Sequence, residues 1–546
     1  MTAPATRSDD TSPDTSAAEA GDTIRDLLRR SVARSPQATA LRFEGREWTY
    51  ARLQAAARRV ARRLAEAGLA PGSRVAAYGG NSDAYVVLFL ACAAGGFVHV
   101  PVNFGLKGGE LTHILEDCEA ELLVTDGGDL LERVRQVRDE GRAPRLRTVW
   151  PMRPGTDLDQ ESVLDTALAA PEGTSPEAAG DAETEAPAAV VRGTDLAQLL
   201  YTSGTTSAPK GAMMSHRALL AEYVSAIVAL DLTPEDRPLI VMPLYHSAAM
   251  HVFLIPYLAL GATVHLLPSP DIPRMLEVVE AERIGSLFLA PTVWVPLSNH
   301  PDLDTRDLRS LTKAQYGASI MPVTVLQRLR QRQPGIGFYN CFGQSEMGPL
   351  CTVLRPEEHD ARPASCGRPV FHTEARVMTA DGAPAAPGEP GEIQYRGPQL
   401  MSGYWNRPEA TAEAFTDDGW FRSGDQVTRD AQGYIQVVDR IKDVINTGGV
   451  LVAPREVEDV VYELDEVAEV AVVGLPDERW IEAVTAVVVL KEGAELTAEG
   501  VRAHVKARLA DHKVPKRVDF VAELPRNQSG KLLKRQLRAE RTEEDA

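Results

Sequence analysis

Four short stretches bring hydroxyls, carboxylates, lysines and glycines close enough together to do chemistry. The first is Tyr201–Gly211, YTSGTTSAPKG, behind the apolar run Leu196–Leu200. Hydroxyls at Thr202, Ser203, Thr205, Thr206 and Ser207 surround Gly204, and Lys210 lies four residues past Thr206. Small residues let the main chain approach an anion, and hydroxyls and amide N–H groups then bond phosphate oxygens. The usual phosphate loop, G-x-x-x-x-G-K-[ST], is absent. Taken alone, the stretch fits a polar surface loop as well as a phosphate cradle. The second is Tyr339–Gly348, YNCFGQSEMG. A hydroxyl beside a carboxylate, Ser345-Glu346, can meet a phosphate oxygen and Mg²⁺ together, and Phe342 offers a face for a base. The hydrolase elbow G-x-S-x-G fails here by one residue, because Gly343 and Gly348 give G-x-S-x-x-G.

The third stretch is GWFRSGD, Gly419–Asp425, followed by YIQVVDRIKD, Tyr434–Asp443. Asp425 can accept hydrogen bonds from two vicinal ribose hydroxyls, and Arg440 can reach the ribose or a phosphate. The fourth is LPRNQSGKLLK, Leu524–Lys534, where Lys531 follows Gly530 in a polar loop. A lysine there can meet negative charge developing on a transferring phosphoryl group. Singly, the charged residues of both stretches read as solvated groups near turns.

These groups need a scaffold. Apolar and Arg residues recur at helical spacing from Thr23 to Ala67. Strand-like Arg74–Tyr78, a helix over Val86–Ala94 and a buried strand over Phe97–Val102 then alternate as in βαβ units of a parallel sheet. Mixed α/β pattern resumes at Leu196 and continues to about Val370, and Ala375–Val438 reads as a β-rich unit. After Ile441 a compact α+β pattern follows, with helices over Pro454–Leu464 and Thr497–Leu509 and strands over Val467–Val473 and Val484–Leu490. The expected class is α/β: a large N-terminal domain of layered α/β subdomains plus a β-rich unit (22–440), and a small mobile α+β lid (441–546). Residues 1–21 read as a disordered tail, and 171–188, acidic and nearly free of large apolar side chains, as a flexible insert.

Composition narrows the function. The chain has 546 residues, 44% hydrophobic, with 58 Lys+Arg against 77 Asp+Glu. A net charge of -19 argues against nucleic acid and anionic membranes as partners. Five cysteines without a C-x-x-C pair argue against a disulfide framework or structural zinc and suit a reducing cytoplasm. The N-terminus MTAPATRSDD is no signal peptide, and the longest apolar run, Ala84–Val102, is interrupted by Gly95-Gly96, His99 and Pro101, so no transmembrane segment is expected. His246 and His251, five apart and without a nearby carboxylate, are not a metal pair.

In order and spacing, the four stretches resemble the adenylate-forming (AMP-binding) enzymes, from about Ile24 to Leu537, and within them the bacterial fatty-acyl- and aryl-CoA synthetases. The resemblance implies two half-reactions at one site. A carboxylate attacks the α-phosphate of ATP, giving acyl-AMP and pyrophosphate; the lid then rotates and the thiol of CoA displaces AMP. It implies ATP, Mg²⁺ and CoA as partners, with a small-molecule acid, and leaves a homodimer open. Carried over by residue, Thr202, Ser203, Gly204, Thr205, Thr206 and Lys210 would hold the β- and γ-phosphates. Gly317, Ala318 and Ser319 would line the adenosine and acyl pocket. Asn340, Cys341, Phe342, Gly343 and Gln344 would lie along the adenine, Ser345 would touch phosphate, and Glu346 would bind Mg²⁺. Asp425 would hold the ribose with Arg440, Lys442 would be the hinge, and Lys531 would bridge the carboxylate and α-phosphate. His246, Ser247, Ala249, Met250, Trp294, Tyr316, Gly317 and Gly343 would form the acyl pocket. Lys531, Glu346, Thr205 and His246 would act in catalysis.

Two departures stand out. Ser207 replaces the family's usual Gly, and Val450-Leu451 stand where Glu-Asn commonly follows the paired glycines 448–449. That loop would line the thiol channel, so two alternatives for the second nucleophile stay open. One is an aromatic amine attacking adenylated nitrite, as in a diazotase; the other is the thiol of a separate carrier protein. A non-catalytic binding protein would be expected to lack Glu346, Asp425 or Lys531, and all three are present.

Overall fold

A computed structural model describes residues 22–169, 190–202, 208–319, 321–440, 443–447, 450–477, 480–526 and 532–543. The predicted βαβ alternation builds a six-stranded sheet in the order Thr148–Pro151, Leu122–Thr125, Arg74–Tyr78, Val98–Pro101, Leu196–Thr202, Lys210–Ser215. The first five strands run parallel and the last is antiparallel. The helix Asp83–Gly95 beside it is apolar on all sides, and its first eleven residues are buried, as such a helix must be. Gly96, in the left-handed region at φ 73°, ends that helix.

A nine-stranded sheet carries the second motif. Its order is Arg368–Pro369, Leu350–Leu354, Gly337–Gly343, Lys313–Gly317, Ser286–Leu289, Pro238–Ile240, Val264–Leu266, Thr39–Phe43, Arg46–Thr49. The last two strands correct the helical reading of Thr23–Ala67. Helices cover only Ile24–Arg34 and Tyr50–Glu66, and a hairpin lies between them. Glu44 and Gly45 both have positive φ (45° and 79°), as a tight hairpin turn needs. Leu41, Phe43 and Trp48 are buried, and Thr39–Phe43 pairs in parallel with Val264–Leu266. A partner more than 200 residues away, invisible to local periodicity, decides this segment.

The β-rich reading becomes a four-stranded antiparallel sheet of Glu374–Met378, Gly391–Arg396, Phe421–Arg429 and Ile435–Arg440. Beyond it, Val450–Val452, Ile445–Thr447, Ile481–Leu490 and Val467–Asp477 form a further sheet, with Arg517–Phe520 parallel to Ile481–Leu490. Both faces of this last sheet are covered. Val470 and Val472 pack with Val457, Val461, Val501 and Val505; Ala471 and Val473 pack with Leu524 and Leu537. These two cores are separate from the large core between the N-terminal sheets. The five cysteines are buried and free. Among the described residues, no helix is long and apolar enough to cross a membrane.

Candidate active site

The strand Leu196–Thr202 pairs with Lys210–Ser215 so that Thr202 faces Lys210 across the ladder. Thr202 Oγ1 donates to Glu346 Oε1 at 3.1 Å, and the Tyr404 hydroxyl donates to the same oxygen at 3.0 Å. Lys210 Nζ lies 5.4 Å from the centre of the Tyr404 ring. Burial, then the Glu346 carboxylate, push the Tyr404 phenol well up, so it remains a donor. Glu346 sits in the short turn Ser345–Met347, and Ser345 Oγ is 3.0 Å from Ser247 Oγ. The first two sequence stretches therefore meet in space, together with the segment that carries Ser247.

Tyr404 was not foreseen. It reaches the site because Ala212 and Tyr404 form a bridge, and the Met213 amide donates to the Gly403 carbonyl at 2.9 Å. The Gly403-Tyr404 pair, between the strand Gly391–Arg396 and the helix Pro408–Ala414, is a weak local signal.

The acyl side is tightly built. His246, Met242, Pro243, Phe288, Ala290 and Ala318 line a cavity of about 10 Å³, room for about one water. His246 Nδ1 accepts from the Ala248 amide at 3.3 Å. Ala318 adopts φ 64°, a left-handed conformation that non-glycine residues take at a cost, as at many sites. The glycines before it and beyond it are required by close packing. A Cβ on Gly317 would lie 2.2 Å from the Cys341 carbonyl oxygen, and one on Gly343 would lie 1.9 Å from that of Pro349.

Other residues expected at the pocket are buried and partnered. Trp294 is buried; its indole N–H donates to the Gln315 carbonyl at 3.1 Å, and its ring meets Phe338 edge-on at 5.5 Å. Tyr316 is buried with its hydroxyl 3.0 Å from His359 Nε2. Ala249 and Met250 are core residues of a π-helical segment, Ala248–Leu254. Met242, Pro243 and Phe288, unremarked in the sequence, take their place around the cavity.

On the strand Gly337–Gly343, Asn340 and Phe342 share one half-buried face, while Cys341 is buried on the opposite one. Asn340 Nδ2 donates to the Ser365 carbonyl at 3.0 Å. Gln344 Nε2 is buried without a hydrogen-bond partner among the described residues, and Ser319 is half-buried. Asp425 is buried on Phe421–Arg429 opposite Arg440, and the Arg440 guanidinium meets its Oδ1 at 2.6 Å. Ser203, Gly204, Thr205, Thr206, Lys442 and Lys531 lie outside the described residues.

The family model described as AMP-binding enzyme matches residues 28–405, and that of the AMP-binding enzyme C-terminal domain matches residues 456–531. The chain belongs to the AMP-binding, adenylate-forming enzymes. This AMP-binding enzyme is 38% identical to a feruloyl-CoA synthase from Amycolatopsis over 509 residues, 93% of this chain and 97% of that one. An indoleacetate–CoA ligase from Aromatoleum aromaticum is 35% identical over 522 residues, 95% of this chain and 99% of its own. The fold matches ATP-bound MatB from Rhodopseudomonas palustris with a TM-score of 0.85 at 28% identity, over 96% and 100% of the two chains.

For an AMP-binding enzyme the donor set is apt. Among the described residues, no group of three or more His, Cys, Asp or Glu gathers to hold a metal by itself. A single carboxylate, Glu346, instead stands beside phosphate-type hydroxyls, which suits Mg²⁺ brought in by a nucleotide, since that ion favours one or two carboxylates plus phosphate oxygens.

Proposed function

We propose that the protein adenylates a carboxylic acid with Mg·ATP and then passes the acyl group to the thiol of CoA. The cluster of Thr202, Tyr404, Glu346, Ser345 and Ser247 beside Lys210 carries this reading. In the first step a carboxylate oxygen attacks the α-phosphorus, the bond to the β-phosphate oxygen breaks, and pyrophosphate leaves. In the second, the thiolate sulfur attacks the acyl carbon, the bond to the AMP oxygen breaks, and AMP leaves.

In this reading Thr202 to Thr206 and Lys210 hold the β- and γ-phosphates. Asn340 and Phe342 lie against adenine, Ser345 touches phosphate, and Asp425 accepts from the ribose hydroxyls while Arg440 fixes its orientation. Mg²⁺, held by Glu346 and the phosphates, supplies charge neutralisation. Lys531 stabilises charge that grows on the α-phosphate, an interaction strongest in the transition state. Lys442, near a boundary at 440/441, is the hinge between the two steps.

The acid is an uncharged aromatic one. The one-water cavity does not itself hold a tail, but apart from His246 the residues around it are apolar, so a site opened there by an entering acid would favour a neutral tail and penalise a second carboxylate. The acids named in the feruloyl-CoA and indoleacetate–CoA relatives are of that kind. Those acid–CoA ligase relatives weigh against adenylation of nitrite.

ATP–pyrophosphate exchange with ferulate, indoleacetate, hexadecanoate and malonate tests the first step. Exchange with an aromatic acid should exceed that with malonate by about tenfold or more, a difference of about 1.4 kcal/mol. Exchange that no acid stimulates, or that malonate stimulates best, contradicts the reading.

A further inference from the structure

The turn that carries Ser345 and Glu346 hangs on a buried polar network that contributes nothing to the site's surface. Glu222, on the helix His216–Ala229, is fully buried. Its Oε1 accepts from the Leu350 amide at 3.1 Å, and its Oε2 accepts from Gln399 Nε2 at 2.8 Å. Gln399, also fully buried, places the same nitrogen 2.8 Å from the Met347 carbonyl oxygen and 2.6 Å from that of Leu350. Its Oε1 accepts from the Ser225 hydroxyl at 2.8 Å, and Ser225 in turn accepts from the His372 amide at 3.1 Å. Two residues beyond Gln399, the Met401 amide donates to the Glu346 carbonyl at 2.8 Å.

We infer that Glu222 and Gln399 are positioning residues, a clamp that sets the place of the Glu346 carboxylate and so the affinity for metal-bound nucleotide. The inference rests on Glu346 serving Mg·ATP. Three features support it. Every bond the clamp makes to the turn goes to main-chain groups of Met347 and Leu350, so it fixes the backbone whatever the side chains do. An ionisable group buried this deeply is costly unless partnered, and here both oxygens are partnered by donors aimed from the strand and from Gln399. The packing leaves no slack: a Cβ on Gly348, at φ 93°, would lie 3.1 Å from Glu222 Cβ.

The bond parity makes the clamp testable without changing its size. Glu222→Gln replaces one acceptor by an NH₂ donor. That donor faces either the Leu350 amide or Gln399 Nε2, both already donors. If Gln399 flips to accept it, the Met347 and Leu350 carbonyls lose their partner.

The test is calorimetric binding of ATP to the full chain without acid, once with Mg²⁺ and once in excess EDTA. The clamp predicts that E222Q weakens Mg·ATP about tenfold, the size of one buried hydrogen bond, and leaves metal-free ATP within about twofold. Metal-free binding reports folding, since a misfolded variant loses both. Ser225→Ala, at the far end of the network, carries the test should E222Q not fold, with the same selective loss at smaller size. Equal affinities for Mg·ATP in wild type and the folded variant overturn the clamp, as does an equal loss of both ligands in a variant whose circular dichroism and thermal melt match wild type. Glu346→Gln serves the underlying reading: it should erase the gain that Mg²⁺ gives. An E346Q variant that keeps this gain removes the role of Glu346, whatever E222Q does.

Discussion

The Glu346 turn and the segment around Lys531 carry the two charged groups proposed for the metal and for the α-phosphate, and they are anchored to different parts of the chain. The turn is fixed by hydrogen bonds to main-chain groups, from Gln399, Met401 and Glu222. The described residues flanking Lys531 are tied within their own body, by main-chain bonds, Arg526 bridging Leu532 and the Leu533 amide donating to the Pro525 carbonyl at 2.9 Å, and by side-chain charge. Lys534 meets Glu458 at 2.9 Å, Arg526 meets Glu469 at 3.1 Å, and Arg538 meets Asp443 at 3.4 Å. This body touches the four-stranded sheet through Arg455, whose Nη1 donates to the Val437 carbonyl at 2.8 Å and whose amide donates to Asp439 at 3.3 Å. The turn's bonds run to Glu222, Gln399 and Met401 of the N-terminal body, whereas the bonds and ion pairs flanking Lys531 stay between residues 443 and 538 and can travel with them. The contrast suits a reaction in which the metal side stays put while the lysine side departs for the second step.

Removing the moving charge should break the comparison most visibly. Lys531→Ala should lower ATP–pyrophosphate exchange by a factor of about 100–1,000, as for other transition-state donors. Thioester formation from supplied acyl-adenylate should stay within about tenfold of wild type. Equal losses in both steps would mean that Lys531 does not separate them. On the fixed side, Glu346→Gln should lower exchange by about 100-fold. A partial return on raising Mg²⁺ would tie the loss to the ion.

Smaller effects should appear at the junction. Arg455→Ala removes the guanidinium contact with Val437. It should speed proteolysis between residues 440 and 454 several-fold, while exchange falls by less than about threefold. Unchanged proteolysis would mean that Arg455 does not hold the two bodies together. Burial raises the Asp439 carboxyl above its ordinary range, against the pull of Lys534, with Glu458 and Asp443 adding to the rise. A raised acid binds its proton more tightly docked than released, so docking weakens as pH climbs through that range. Hydrogen exchange at the Arg455 amide, corrected for its intrinsic rate, should therefore quicken as pH rises above the ordinary aspartate range. Slowing over that rise would reverse the sign.

Much of the site could be read along the chain because its contacts are made by motifs that are themselves continuous. Thr202 and Glu346, 144 residues apart, come within hydrogen-bond reach, and Asp425 pairs with Arg440 across one hairpin. What escaped depends on burial and on distance. Ala249, Met250, Trp294 and Tyr316 are all buried, which residue type alone does not reveal. Tyr404 and Gln399 arrive from a connection whose pairing with the strand after the phosphate loop no local pattern encodes. Nothing in the sequence marks Glu222, since a lone Glu gives no sign that it will be buried. The hairpin Thr39–Thr49 was lost for the same reason: its partner strand is remote.

Mass spectrometry of the products tests most directly whether the protein adenylates an acid and transfers it to CoA. The enzyme would be incubated with Mg·ATP, CoA and a pool of aromatic and fatty acids, with nitrite and an aromatic amine added. The account predicts an aryl-CoA thioester, with AMP and pyrophosphate in equal amounts. An amide, a diazonium product, or AMP release without any thioester would contradict it.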